Sequence, residues 1–398
     1  MQVAILTIQS LINNLNTMKK LILTFAALLL GVVALQAATP VAQMPKQICS
    51  GEWKAGHVQG LAVDTKREYI YFSFTTMLIK MDMQGNVVGS VTGLLGHLGC
   101  IEFNDADGRI YGSLEYKDDS IGRGILKQEK SDRKFDTAFY VAIFDVDKIT
   151  RQGMSAEKDG IMTTVYLPTV VEDFKTKVEC GGKSLEHKFG CSGFDGITFG
   201  PKFGKNDGKF YLTIAYGIYG DAKRSDNDHQ VLLQYDASDW KKYEQPLSQD
   251  NMHQSGPKKP VGRYFVYTGN RNWGVQNMEY DKSNNLWFLA TYETKKSEFA
   301  GFSLMTIDGN IAPKKRLLQG VDYCKKGNLL TLANSGKVDA NHPTIHGWHF
   351  DKSSTGIHAL GENYFYISHR KRNKPYQSCT ATLYRFVAGD QSPFERVK

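Results

Sequence analysis

Residues 60–74 read Gly-Leu-Ala-Val-Asp-Thr-Lys-Arg-Glu-Tyr-Ile-Tyr-Phe-Ser-Phe, and this stretch indicates the fold. An apolar segment, a polar turn and a second segment that opens with an apolar–aromatic pair are typical of a β-hairpin. The pattern returns at residues 100–114, 196–214, 277–290 and 357–369. Three of the turns carry typical turn residues, which are Asp107-Gly108, Asp207-Gly208 and Asn284-Asn285.

Further strand-like segments follow each hairpin. A third strand is predicted at residues 78–83, 139–146, 230–235, 302–307 and 382–386. A fourth is predicted at residues 87–91, 162–167, 264–268 and 315–318. Four antiparallel strands repeated around an axis make a β-propeller, and the chain resembles that superfamily over nearly all of residues 46–398, without matching a specific family. We therefore predict an all-β, five-bladed β-propeller, with a sixth blade within residues 310–350 as the alternative.

The two ends of this repeat region are predicted to meet. Ser50-Gly51 precedes the first strand of the first blade, just as Thr92-Gly93 and Thr268-Gly269 precede later first strands. Residues 47–50 should therefore supply an outer strand of the last blade, beside residues 394–397. Such a closure protects the edges of the sheets and makes residues 38–398 a single domain.

Residues 1–37 are predicted to be a signal peptide with an upstream extension. Met18-Lys19-Lys20 is followed by an apolar run at residues 21–35 and by small residues, as in a bacterial secretory signal. Met18 is the predicted true start, and the run is short for a membrane span. No cysteine follows it to carry a lipid anchor. The mature chain is therefore expected in the periplasm or outside the cell, without a membrane span.

The composition is that of an ordinary globular protein. Of 398 residues, 41% are hydrophobic and 23% are charged, which excludes disordered, collagen-like and polytopic membrane proteins. The net charge of +8 falls to +6 without Lys19 and Lys20; it suits an acidic ligand and predicts no nucleic-acid partner. Six cysteines in an exported chain can pair, and Cys180 and Cys191 are the predicted disulfide because they flank a short loop that contains Gly181 and Gly182.

Propeller topology predicts a functional face. The entry to each first strand and the exit from each second strand open on the same side, where the long insertions mostly fall, at residues 117–137, 169–193, 217–229 and 320–354. Long loops on a rigid scaffold commonly carry function, although they could merely cover the mouth of the channel. His57 and His97 occupy corresponding positions near the axis on this face, three residues before Gly60 and Cys100.

The residue types on this face suit catalysis and sugar binding. The candidate catalytic residues are His57, His97, Tyr116, Asp195, Glu115 and Arg370. The candidate substrate-binding residues are Gln59, Tyr216, Gln276, Tyr292, His358, His369, Trp53 and Trp273. Three of the tyrosines share one repeat position at the exit of a second strand. They predict either packing at the rim or a platform of hydroxyl-bearing rings for sugars.

Two enzyme chemistries fit these residue types equally well. Glycoside hydrolysis needs two carboxyl groups, for which Asp195, Glu115 and Glu293 are candidates. Five-bladed propellers are a common glycosidase scaffold, but the first blade has His57 and Gln59 where a carboxylate is expected. A uronate lyase needs a base beside the substrate carboxylate and a group that neutralises that carboxylate. The residues that offer these functions are His57, His97, Tyr116, Tyr216, His369 and Arg370.

The remaining alternative is a propeller that binds a ligand or a protein without chemistry. The sequence requires no cofactor, because it has no GxSxG, P-loop, HExxH or dinucleotide fingerprint. A divalent metal at the propeller axis is a further option, although no local ligand spacing points to it; its candidate ligands are His57, His97, Asp195 and His358. The expected partner is a glycan or another polar, acidic ligand, and the chain is expected to be a monomer.

Overall fold

The computed structural model describes residues 38–205 and 207–398, together with Lys19. Apart from Lys19, the predicted signal segment at residues 1–37 lies outside the described residues. Over the described chain, the strands form five blades around a central channel, and the first strand of each blade contacts the first strands of the two neighbouring blades. The chain is thus a five-bladed β-propeller.

The first three blades each have four consecutive antiparallel strands. Blade 1 consists of Val58–Val63, Tyr69–Phe74, Met77–Asp82 and Val87–Thr92. Blade 2 consists of His97–Asn104, Arg109–Tyr116, Ala138–Phe144 and Met162–Tyr166. Blade 3 consists of Cys191–Pro201, Phe210–Ile218, His229–Tyr235 and Gly262–Tyr267. Each of these sheets gains short outer strands, which are Met154–Ser155 in blade 1, Gln245–Pro246 in blade 2, and Lys326–Leu329 with Lys314–Leu317 in blade 3.

The last two blades are less regular. Blade 4 consists of Val275–Asp281, Leu286–Thr291 and Leu304–Asp308. Blade 5 consists of Ile357–Gly361, Tyr364–Asn373 and Tyr376–Phe386, with Gln47–Cys49 and Phe394–Arg396 on its outer edge. Two small ribbons lie outside the blades, formed by Val178–Cys180 with Lys183–Leu185 and by Lys337–Val338 with His346–Gly347.

Two α-helices lie in the loops, α1 at Ser120–Gln128 and α2 at Pro168–Lys175. Within residues 38–205 and 207–398, the other helical segments are short 3₁₀ helices, at Val41–Gln43, Val146–Lys148, Lys188–Gly190, Trp240–Lys242 and Asp351–Thr355. Among the described residues, no helix combines the length and the apolar character that crossing a membrane requires.

The middle strands of the blades are buried on both faces. Every residue of Ala138–Phe144 and of His229–Tyr235 is buried, because each blade is covered by a neighbouring blade on either side. Ala138–Phe144 is accordingly a continuous apolar run and not an alternation, whereas His229–Tyr235 also buries three polar residues. This burial explains the apolar–aromatic segments that predicted the five hairpins, and all five are present.

One predicted strand belongs to a different blade. Residues 315–318 were expected as the fourth strand of blade 4, but Lys314–Leu317 pairs with Lys326–Leu329 at the outer edge of blade 3. All four of its side chains are exposed, so it has no apolar side with which to cover blade 4. Isolated bridges from Leu332 and Trp348, both buried, cover the third strand of that blade instead. The described residues 310–350 form no sixth blade.

The predicted ring closure is confirmed. Gln47–Cys49 and Phe394–Arg396 both pair antiparallel with the third strand of blade 5 and lie one after the other along its edge. Phe394 also packs against Phe288 of blade 4, with ring centroids 5.9 Å apart. Both ends of the described propeller therefore hold the same blade.

The predicted disulfide between Cys180 and Cys191 is wrong. All six cysteines lie in described residues and all are free thiols. Gly181 and Gly182 form the turn of the ribbon in which Cys180 pairs with Lys183, so the chain turns back there and carries Cys180 away from Cys191. The Cys180 thiol points to the carbonyl oxygen of Gly320 at 3.1 Å, whereas Cys191 is buried at the start of blade 3.

Candidate functional site

Four of the first strands carry a β-bulge at the same level, near the mouth of the channel. The pairing register shifts around Gln59 in blade 1, around residues 99–100 in blade 2, around Asp195 in blade 3 and around Gln276 in blade 4. A bulge leaves one residue unpaired and redirects its side chain. Gln59, Asp195 and Gln276 consequently line one pocket.

This pocket, which we call the upper pocket, has a volume of about 500 Å³. Its walls include residues from all five blades, from the loops at Trp273 and Tyr292 that flank blade 4 strands, and from helix α1. The predicted site residues that line it are His57, Gln59, His97, Glu115, Asp195, Trp273, Gln276, Tyr292 and Arg370. Four other polar lining residues were not predicted from the sequence, namely Thr75, Lys117, Ser192 and Arg372.

An acidic cluster forms the floor of the upper pocket. His97 Nδ1 lies 3.5 Å from Asp195 Oδ1 and 3.9 Å from Glu115 Oε2. Gln276 donates a hydrogen bond of 3.1 Å to the other oxygen of Asp195. Burial raises the pKa of Glu115 to about 7 and that of Asp195 to about 6, and it lowers the pKa of His97 to about 4. Near neutral pH the imidazole is therefore uncharged, and the two carboxyl groups are close to their titration points.

Lys117 and the backbone of blade 3 hold Glu115 in place. Lys117 Nζ lies 2.7 Å from Glu115 Oε2 and donates to the carbonyl oxygen of Ser192 at 2.6 Å. The N–H of Phe194 donates to the remaining oxygen, Glu115 Oε1. Gly193 has φ of +118°, and a Cβ at this position would come within 1.9 Å of Glu115 Oε1. Both oxygens of Glu115 are thus occupied, and only glycine leaves room for them.

A cationic wall faces this cluster. Arg370 and Arg372 lie on the long hairpin of blade 5 formed by Tyr364–Asn373 and Tyr376–Phe386. They are two residues apart, so both side chains point to the same face of the strand. Arg372 Nη2 lies 3.2 Å from His57 Nδ1, and burial together with the two arginines lowers the pKa of that histidine. The Tyr292 hydroxyl lies beside Arg370, and burial raises its pKa.

Helix α1 closes one side of the upper pocket. Asp119 caps its N-terminus by accepting hydrogen bonds of 2.9 and 2.8 Å from the N–H groups of Ile121 and Gly122. Ile121 and Ile125 then face the pocket. The helix thus adds an apolar surface to a site whose other walls are mostly polar.

Two predicted site tyrosines lie in the protein core, not on the pocket. Tyr116 is 1% exposed and donates to Gln249, and Tyr216 is fully buried and donates to Asp173. Successive residues of a strand point to opposite faces. Since Glu115 lines the pocket, its neighbour Tyr116 points away from it. The predicted platform of three tyrosines is therefore absent, and only Tyr292, which follows the end of its strand, reaches the site.

Three other predicted site residues lie outside the upper pocket. Trp53 bridges to Gln377 and donates its indole N–H to the carbonyl oxygen of Ser50. His369 stacks on Tyr384 and shares a hydrogen bond of 2.9 Å with its hydroxyl. His358 belongs to a second cluster in which its Nδ1 lies 3.5 Å from Glu102 Oε1 and 3.9 Å from Glu279 Oε2.

The structure consequently divides the predicted metal-ligand set. His97 and Asp195 lie together on the floor of the upper pocket, His57 lies in the same pocket but contacts Arg372, and His358 lies with Glu102 and Glu279. Two of the four lining residues that were not predicted share one simple signal. Lys117 follows Glu115, and Arg372 follows Arg370, at a spacing of two, which is the period of a strand face.

Comparison with known proteins assigns neither a family nor a function to the chain. No protein-family model and no curated protein matches the chain. Similar solved structures include the pyranose dehydrogenase PQQ domain from Coprinopsis cinerea, which is 11% identical, with 81% of each chain covered and a TM-score of 0.32. A protein of unknown function from Bacteroides caccae is 11% identical, with 71% of this chain and 88% of that chain covered and a TM-score of 0.30. The Dos1 propeller is 10% identical, with 86% and 81% covered and a TM-score of 0.29. Values this low carry no functional conclusion.

Proposed function

We propose that the protein is a polysaccharide lyase that cleaves a uronate-containing glycan in the upper pocket. One observation carries the proposal. Arg370 and Arg372 lie beside His57 and Tyr292, so that carboxylate-binding cations adjoin two groups able to move protons. Cleavage by β-elimination requires this adjacency, because the proton to be removed is on the carbon next to the carboxylate.

The arginines bind the uronate carboxylate and neutralise it. A guanidinium can hold a carboxylate through two parallel hydrogen bonds, and the neutralised carboxylate makes the adjacent C–H more acidic. The lowered pKa of His57 keeps its imidazole neutral and able to accept a proton near pH 7. We therefore assign His57 as the base that takes the proton from C5.

Tyr292 is assigned as the acid. Its raised pKa keeps the hydroxyl protonated. The electron pair of the broken C5–H bond forms a C4=C5 double bond, the C4–O glycosidic bond breaks, and the leaving oxygen takes the proton of Tyr292. The resulting phenolate is stabilised by Arg370 beside it. Gln59, Gln276 and the Trp273 ring, which line the same pocket, are assigned to binding the sugar.

Glycoside hydrolysis is the second candidate. It is favoured by the pKa of Glu115, which at about 7 suits a general acid. One observation weighs against it. Lys117 and the Phe194 N–H occupy both oxygens of Glu115.

The proposed substrate also fits the proposed location. The signal-like segment that begins at Met18 favours export, and acidic polysaccharides are extracellular polymers. We propose that the mature protein acts in the periplasm or outside the cell. The net charge of +6 without Lys19 and Lys20 favours attraction of a polyanionic substrate.

The test uses purified protein and a panel of uronate polysaccharides. We expect the ultraviolet absorbance to rise as the conjugated double bond forms. His57→Ala should lower kcat by about 10²–10⁴-fold, the usual contribution of a general base. His349→Ala is the matched control, because this exposed histidine lies outside the upper pocket, and it should retain full activity.

Other outcomes identify the alternatives. New reducing ends without the absorbance change would show hydrolysis and would exclude a lyase. Glycan binding without any product, retained in His57→Ala, would show a binding propeller. Arg372→Gln tests two roles of this arginine. The variant should raise KM, because a carboxylate-binding group is lost. It should also shift the acid limb of the pH–rate profile to higher pH, because Arg372 is one of the groups that lower the pKa of His57.

A further inference from the structure

A second polar cluster lies inside the channel, away from the upper pocket. The first strands of blades 2, 4 and 5 bring together Glu102, Glu279 and His358. They are 5%, 4% and 9% exposed. One ligand atom from each lies within 4.8 Å of the other two. The three side chains line a cavity of about 630 Å³ among the turns that join first to second strands, which we call the lower cavity.

Two atoms of this cluster lack a hydrogen-bond partner. Glu279 Oε2 and His358 Nδ1 are buried and lie 3.9 Å apart, and among the described residues neither accepts or donates a hydrogen bond unless Glu102 and Glu279 share a proton. Such atoms are rare in native proteins, because each costs about 1–3 kcal/mol. The group that satisfies them must bind a carboxylate oxygen and an imidazole nitrogen at once.

The other oxygens of the cluster are held firmly. Glu279 Oε1 accepts the N–H of Ala359 at 2.9 Å. Glu102 accepts the N–H of Phe103 at 2.9 Å and the hydroxyl of Thr198 at 3.1 Å. Metal-binding carboxylates are commonly oriented by outer hydrogen bonds of this kind. The arrangement leaves Glu279 Oε2 and His358 Nδ1 directed into the space between the three residues.

The charges of the two clusters differ. In the upper pocket, the ammonium of Lys117 neutralises Glu115 at 2.7 Å. Within the described chain, no lysine or arginine forms an ion pair with Glu102 or Glu279. Arg67 does line the lower cavity, but its guanidinium donates to the carbonyl oxygens of Thr39 and Leu360. Two buried carboxylates so close together need a cation or a shared proton.

We propose that Glu102, Glu279 and His358 bind one divalent transition-metal ion, such as Zn²⁺ or Mn²⁺. An imidazole nitrogen with two carboxylate oxygens suits such ions, whereas Ca²⁺ and Mg²⁺ prefer oxygen ligands alone. The coordination positions that the protein leaves open face the lower cavity. Asp105 and Asp281, which line the same cavity, favour the entry of a cation.

The test is a calorimetric titration of the purified full chain with Zn²⁺, Mn²⁺ and Ca²⁺ after treatment with a chelator. We expect one Zn²⁺ or Mn²⁺ per chain and markedly weaker binding of Ca²⁺. Glu279→Gln and His358→Ala should each lower the affinity for the metal by at least about 100-fold, since the loss of a hydrogen bond to a metal ligand alone lowers that affinity by about 10–100-fold. Glu115→Gln, in the upper pocket, should bind the metal as the unaltered protein does.

The controls make a folding defect visible. Asp118→Asn alters an exposed acid that lies outside the lower cavity and should leave the affinity within about threefold. Each variant is first checked by thermal unfolding. Glu279→Gln has nearly the same shape as the unaltered residue, and if it fails to fold, His358→Ala decides. Absence of stoichiometric Zn²⁺ or Mn²⁺ binding would overturn the proposal and would favour a proton shared between the two carboxyl groups. Loss of binding in Glu115→Gln alone would show that the metal binds in the upper pocket instead.

Discussion

The Glu115 carboxyl group occupies the space that a side chain at position 193 would need, behind the upper pocket. The glycine has a backbone conformation that disfavours a side chain, and its Cα approaches the carboxyl group closely. The N–H of the next residue, Phe194, then donates to that carboxyl group. At this point the backbone of blade 3 positions a side chain of blade 2, so the two blades build the site together.

Gly193→Ala should therefore disturb both stability and the site. Strain and overpacking should lower the free energy of unfolding by about 2–4 kcal/mol in total. Gly108→Ala is the control, because Gly108 also has positive φ, +69°, but a Cβ there meets nothing within 4 Å; it should cost about 1–2 kcal/mol. Chemical denaturation measures both, and equal losses would contradict the proposed contact with Glu115.

The titration of Glu115 should appear in the pH dependence of stability. Burial raises its pKa to about 7, above the 4.5 expected in the unfolded chain. Between these values the folded protein binds the proton more tightly, so the free energy of unfolding should fall as the pH rises from about 4.5 to 7. Glu115→Gln cannot titrate and should show a smaller slope. Parallel curves for the two proteins over this range would contradict the raised pKa.

At the scale of single elements, helix α1 depends on its cap. It spans nine residues, two of which are glycines, so its intrinsic helix propensity is low. The Asp119 carboxylate satisfies two of the free N–H groups at its start. Loss of the Asp119 side chain should therefore destabilise helix α1, which forms one wall of the upper pocket.

Asp119→Ala should fray this helix. The expected loss is about 1 kcal/mol in the free energy of unfolding, with faster amide hydrogen exchange confined to Ser120–Gln128 and a higher KM. Asp118→Ala is a matched control, because the side chain of Asp118 is 79% exposed and pairs only with exposed Arg123. Equal rates of amide hydrogen exchange in helix α1 of both variants would show that the Asp119 cap does not stabilise this helix.

The strands show which site residues the sequence could predict. Equivalent repeat positions identified Gln59, Asp195 and Gln276, and the structure places all three at bulges that face the upper pocket. The same argument failed for Tyr116 and Tyr216, because repeat position does not say which face of a strand a side chain occupies. Applying the two-residue period outward from Glu115 excludes Tyr116 and selects Lys117.

At the scale of the whole molecule, one blade closes the ring. Strands from both ends of the propeller pair with Tyr376–Phe386. Phe394 joins an aromatic group that extends from blade 5 into blade 4 through Phe288, and it is 4% exposed. Because every blade contacts two others, loosening this closure weakens the entire ring.

Phe394→Ala should lower the stability of the whole propeller. Removal of a buried phenylalanine costs about 3–5 kcal/mol, and we expect one cooperative unfolding transition at a lower midpoint. Leu317→Ala is the control, since that side chain is 66% exposed on the outer strand of blade 3, and it should change the midpoint little. A separate early transition for blade 5 in differential scanning calorimetry would contradict ring-wide cooperativity.

The sequence alone determined the repeat, the five blades and the closure of the ring. The repeat and the blades follow from local patterns, apolar–aromatic hairpins and turn residues, that are set within about 15 residues of chain. The closure follows from Ser50-Gly51, which stands before the first blade as Thr92-Gly93 and Thr268-Gly269 stand before later first strands. It did not determine the fourth strand of blade 4, because the exposed Lys314–Leu317 joins the outer edge of blade 3 through its pairing with Lys326–Leu329.

Which polar residues meet depends on how the blades are arranged around the channel. His97, Glu115 and Asp195 come from two blades, and Glu102, Glu279 and His358 come from three. No spacing along the chain encodes those distances. They arise where first strands converge on the channel, and the burial that shifts the pKa values of these groups exists only after the ring has closed.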